Sequence, residues 1–136
     1  MHNLTTFELK PFVPARDFEL SRRFYTDLGF TVDGSDPDLA YVSHGNTAFL
    51  LQNFYKKEFA DGLLMQLLVQ DLDSWWQSVN DRQIVATYAQ SGVRLIPPRA
   101  ATAEWADSAT LQSRSPRHFV LFDPTGVRWR IAQPRS

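Results

Sequence analysis

FVLFDPTGVRWRIAQ, residues 119–133, writes two strands around a tight turn, and its reading decides the fold. Phe119 to Phe122 is a continuous apolar run. Asp123-Pro124-Thr125-Gly126 is turn chemistry: Asp accepts backbone N–H bonds, Pro presets φ and Gly takes positive φ. Val127, Trp129 and Ile131 then alternate with Arg128, Arg130 and Ala132, the period-2 pattern of a strand with one buried and one different face. An earlier stretch repeats the arrangement with other side chains: LAYVS (39–43), a turn at His44-Gly45-Asn46, then TAFLLQN (47–53). The echo marks an internal duplication.

The helices repeat as well. ARDFELS at 15–21 lies over VQDLDSW at 69–75, which aligns Asp17 with Asp71 at an offset of 54 residues. Each Asp is placed to cap a helix by accepting from the free N–H groups of its first turn, and a second acid, Glu19 or Asp73, is favoured there by the helix dipole. The first helix spans Phe18 to Leu28, with Leu20, Phe24 and Leu28 on one face and Gly29 as its stop. The second starts at Leu72 and carries Trp75, Trp76 and Val79. Only one of the tandem tryptophans can face the core directly. IVATYA (84–89) is able to extend this helix. A short apolar strand precedes each helix, so both halves read strand, helix, further strands.

At 136 residues and 43% hydrophobic, the chain can bury a core without staples. A formal net charge of −1 gives no general electrostatic reason to bind nucleic acid or an anionic membrane. The absence of Cys excludes disulfides and thiolate chemistry, and no apolar run is long enough to span a bilayer. A cytoplasmic protein is the expectation. KKEFADG (56–62) reads as a polar connection between two halves that share a sheet. Pro97-Pro98 and Ser115-Pro116 fence off a loop that holds Trp105, an indole that either covers a ligand or packs the loop down. No phosphate loop, no Gly-x-Ser-x-Gly elbow and no close pair of carboxylates on one strand face is present.

The opening PFVPARD (11–17) with FYTDLGF (24–30), the middle VQDLD (69–73) and the closing DPTGVRWRI (123–131) together resemble the glyoxalase, bleomycin-resistance and extradiol-dioxygenase superfamily, the vicinal oxygen chelate proteins. The likeness covers nearly the whole chain in the right order. It implies an α+β fold of two βαβββ-type modules in tandem, about 5–55 and 63–134. Together they make a single domain (1–136), with a curved mixed sheet around a ligand cleft, in a homodimer.

Enzymes of that superfamily hold a divalent metal on the inner face of the sheet, where the cation polarises neighbouring substrate oxygens. Carried over position by position, the resemblance puts Lys10 on the first strand and Leu50 or Gln52 on the last strand of module one. In module two it puts Leu64 or Gln66 on the first strand and Arg130 on the last. Charged Lys and Arg have no lone pair for a metal, and Leu offers nothing. No metal or other cofactor is therefore expected. The alternative is a metal-dependent lyase or dioxygenase using the unusual set Glu8, Gln52, Gln66 and His118. Parity turns Arg128 and Arg130 away from the helices, with Lys10 opposite, toward a cleft suited to a flat or apolar molecule bearing an acid. The expected ligand-binding residues are Lys10, Gln52, Gln66, Trp105, His118, Arg128 and Arg130. The reading is a metal-free, noncatalytic protein of the bleomycin-resistance-like branch that sequesters a small aromatic or amphipathic compound. Bleomycin itself is disfavoured, because a cationic drug is repelled by an Arg-bearing cleft.

Overall fold

Two Asp side chains start the two long helices as their spacing requires. In the computed structural model, which describes residues 1–34, 36–100 and 117–134, Asp17 accepts from the Leu20 amide and Asp71 from the Ser74 amide, both at 3.1 Å. The elements are β1 (Phe12–Pro14), α1 (Phe18–Leu28), β2 (Thr31–Asp33), β3 (Leu39–His44), β4 (Thr47–Gln52), α2 (Lys57–Gly62), β5 (Leu64–Leu68), α3 (Leu72–Asp81), α4 (Ile84–Tyr88), β6 (Arg94–Ala100), β7 (Arg117–Phe122) and β8 (Arg128–Gln133), with a 3₁₀ turn at Ala89–Ser91. Gly29 ends α1 at φ +114°, where a Cβ would be strained.

The tandem βαβββ architecture follows the duplication. The strands form two four-stranded mixed sheets, ordered β1-β4-β3-β2 and β5-β8-β7-β6, rather than one sheet shared by both halves. In each, the first strand runs parallel to the last, which pairs antiparallel with its hairpin partner. The connection at 56–62 is not an open linker: α2 forms there and buries Ala60. The second helix does not run on through 84–89. Gln83 takes φ +54° after the Arg82 cap, so α4 starts afresh. Pro97 and Pro98 lie inside β6, beside a register shift between Ile96 and Arg99. An edge strand tolerates missing N–H donors at such a bulge.

The helix-facing sides of the sheets make the core. Phe24, Leu51, Leu72, Phe119, Leu121 and Ile131 are fully or almost fully buried there. The tandem tryptophans divide between the modules: Trp76 packs edge-on to Phe119 at 5.2 Å, while Trp75 meets His44 at 5.0 Å and Phe30 at 6.4 Å. Both thus reach packed neighbours, because one leans on its own sheet and the other reaches the first module.

A buried polar clamp joins the halves. The Tyr25 hydroxyl donates to Asp123 at 2.5 Å and accepts from the Trp129 indole at 2.8 Å. The other Asp123 oxygen accepts from the Thr125 and Val127 amides at 2.9 Å, which closes the turn that Gly126 completes at φ +98°. Burial pushes the Asp123 carboxyl up to about 6, against its hydrogen bonds, which lower it. Near the far end of α1, Tyr88 donates to Asp27 at 2.5 Å.

Candidate functional site

Parity assigns each strand residue of module two to a face. Met65, Leu67, Phe119, Leu121, Trp129 and Ile131 face the helices, whereas register places three rows on the far face. These are Arg94–Phe122–Arg128–Leu64, Ile96–Val120–Arg130–Gln66 and His118–Ala132–Leu68. Gln66, His118, Arg128 and Arg130 therefore do share one face, as their positions in the sequence imply. Their accessibility differs. His118 and Arg130 are 0% and 2% exposed, while Gln66 and Arg128 are exposed. Burial pulls the Arg130 guanidinium below its ordinary value, since a charged group loses hydration there.

Two other expected residues lie elsewhere. Lys10 precedes β1 instead of belonging to it, and it pairs with Glu8 at 3.0 Å while lying 4.7 Å over the Tyr41 ring of β3. Tyr41 also donates to Glu8 at 2.9 Å, so Glu8 is engaged, and its carboxyl is held below its ordinary value by Lys10 first and Tyr41 second. The proline at 11 and the short β1 leave Lys10 in the extended arm that precedes the strand. Gln52 closes β4 in module one, in register with Pro14 and Leu39, on the other sheet from Gln66. Trp105 lies outside the described residues.

The positions that would hold a metal do not fit one. The inner rows pair Phe12 with Leu50 and Gln66 with Arg130: two hydrocarbons, one carboxamide and one guanidinium. Among the described residues no group of three His, Cys, Asp or Glu side chains is placed to hold an ion; of the set Glu8, Gln52, Gln66 and His118, Gln52 lies on the first sheet and Gln66 and His118 on the second.

Beside the free edge of β5 runs an apolar groove of about 360 Å³, walled by Phe30, Phe49, Met65, Leu67 and Trp129, with Gln66 and Leu68 at its border. The aromatic walls are locked by one another: Trp129 lies 5.3 Å from Phe49 and 6.0 Å from Phe30, and its indole is fixed through Tyr25 to Asp123. Gln66 and Leu68 belong both to the groove lining and to the far face of the second sheet, so the groove reaches the β5 edge of that face. Sequence reading missed the groove, since its walls come from both modules. It also missed Arg94, which lies 3.9 Å over the Phe122 ring on the accessible row.

No protein-family model and no curated protein matches the chain. Solved structures do. A bleomycin-binding protein complexed with bleomycin is 22% identical with a TM-score of 0.72, over 96% of this chain and all (100%) of that one. A bleomycin-binding protein from bleomycin-producing Streptomyces verticillus, complexed with copper(II)-bleomycin, is 20% identical (TM-score 0.71; 98% and 100% covered). An antibiotic binding protein from a Streptomyces species is 18% identical (TM-score 0.67; 98% and 100% covered). At these identities the likeness establishes the fold.

Proposed function

We propose that this chain, built on the fold of the bleomycin-binding proteins, is a metal-free and noncatalytic binding protein. It sequesters a small aromatic or amphipathic compound that carries an acid, in the cytoplasm and as a homodimer. The observation that carries this reading is an aromatic groove bordered by Gln66, on the strand paired with the one that bears Arg128. A ring buries its faces in the groove while an acid meets donors beyond the β5 edge, the division of labour of small-molecule sites. Sequestration needs affinity alone, so replacement of metal ligands by hydrocarbon and guanidinium is no obstacle. Several structural neighbours hold antibiotics by the same fold, which favours a resistance-type role. Exposed Leu4, Phe7, Leu9, Phe12 and Leu68 supply apolar surface that a second protomer would cover.

Native mass spectrometry of the protein purified from its source tests this. The expected result is a dimer with no stoichiometric divalent ion and an organic adduct. A stoichiometric divalent ion, together with metal-dependent turnover of glutathione hemithioacetals or catechols, would contradict it.

A further inference from the structure

The accessible end of the cationic face is a single row. Arg94 on β6, Phe122 on β7 and Arg128 on β8 are in register, and both arginines are exposed while Phe122 is half-buried. The Arg94 guanidinium lies 3.9 Å above the Phe122 ring. Stacking of this kind fixes an otherwise mobile planar fork and leaves its N–H edges and opposite face free. Among the described residues neither Arg94 nor Arg128 has a carboxylate within ion-pair distance. Nor does the strand register put any acid on this face: its other described members are Leu64, Gln66, Leu68, Ile96, Val120 and Ala132, with His118 and Arg130. In a chain whose net charge is −1, Arg94 and Arg128 are thus two exposed cations that share one row with no ion-pair partner among the described residues. The two strands that carry the arginines flank the strand of Phe122, so their backbones stand roughly 10 Å apart, about the width of a fused two-ring system.

We propose that Arg94, acting with Arg128, is the specificity-determining residue of this site and makes it select aromatic acids over neutral aromatics of the same shape. The inference rests on the binding function proposed above and names the ligand class. The acid takes charge-assisted hydrogen bonds from the guanidinium edges, while the ring rests on the half-buried apolar members of the same row, Phe122 and Leu64. Lysine at position 94 keeps the charge but loses the planar fork and the stack.

Two dyes of one skeleton test it: 8-anilinonaphthalene-1-sulfonate, an aromatic acid, and N-phenyl-1-naphthylamine, its neutral counterpart, both titrated in EDTA by fluorescence. The wild type should bind the sulfonate about tenfold more tightly than the neutral dye. Arg94→Gln should weaken the sulfonate about five- to tenfold and leave the neutral dye unchanged, with Arg94→Lys in between. The unchanged neutral dye shows that the variant is folded. Equal affinity of the wild type for both dyes, or an Arg94→Gln protein that keeps its sulfonate affinity or loses both dyes in parallel, overturns the selectivity while the binding function stands. If neither dye binds the wild type, the binding function fails and the selectivity with it.

Discussion

The two modules have the same element order, the same helix caps and the same parallel pairing of first strand with last, yet their far faces are chemically opposite. In module one the central row is Tyr41–Leu50–Phe12; in module two the corresponding row is Val120–Arg130–Gln66. The helix-facing rows stay alike, with Val13 against Leu51 in one and Leu67 against Ile131 in the other. Packing against helices fixes the size and polarity of one face, whereas the other face is free to diverge once the strand pairing is secure. The duplicated half is thus the frame, and the unmatched face of module two is where we propose a ligand is read.

The comparison breaks most visibly at the clamp, which has no counterpart in the first hairpin, where Gly45-Asn46 makes the turn. Asp123→Ala leaves the Tyr25 hydroxyl and the Thr125 and Val127 amides without their acceptor. Each unsatisfied buried group costs on the order of 1–3 kcal/mol, so we expect a loss of about 4 kcal/mol in denaturant unfolding.

The same carboxyl gives a pH dependence of the next size. Its value is raised by burial from 3.8 to about 6 in the folded protein. Its contribution is therefore fully present below about pH 4 and is lost as pH rises through about 6, a change of about 3 kcal/mol. Unfolding free energies measured from pH 4 to 7 for the wild type and Asp123→Asn should diverge over that window, and parallel curves would remove Asp123 as the source.

The duplicated caps sharpen the likeness instead. Asp17→Ala and Asp71→Ala should each cost about 1 kcal/mol by urea unfolding, because each removes one side-chain bond to a first-turn amide. A several-fold inequality would show that the modules are not equivalent in their helix starts. Arg128→Gln is the smallest change in stability, within about 0.5 kcal/mol, since the side chain is exposed. Its effect belongs to affinity for an aromatic acid, read by fluorescence titration.

Much of the fold is legible in the chain. Asp17, Gly29 and Asp71 mark helix boundaries through local chemistry, and alternation around Trp129 gives the face of the last strand. What escapes is whatever depends on distant partners or on backbone strain. Nothing local announces that Gln83 adopts a left-handed backbone, or that β6 carries Pro97 and Pro98 past a bulge. Of the site, Gln66, His118, Arg128 and Arg130 come together because β5, β7 and β8 pair in register, a relation that period-2 patterning suggests. Whether such a residue is exposed depends on packing, and so His118 and Arg130 are buried while Arg128 is not. Arg94 stayed hidden because its strand lacks clean alternation and its partner Phe122 is 28 residues away. Lys10 was misplaced for the opposite reason, a strand extended in the reading beyond Pro11.

Backbone amide shifts on titration with 8-anilinonaphthalene-1-sulfonate test most directly the claim that module two carries the reading face. The largest changes should fall on Gln66, Phe122 and Arg128, with Leu39 and Tyr41 of module one unmoved. Shifts concentrated on Leu39, Tyr41 and Leu50 would place the ligand on the other sheet and contradict the account.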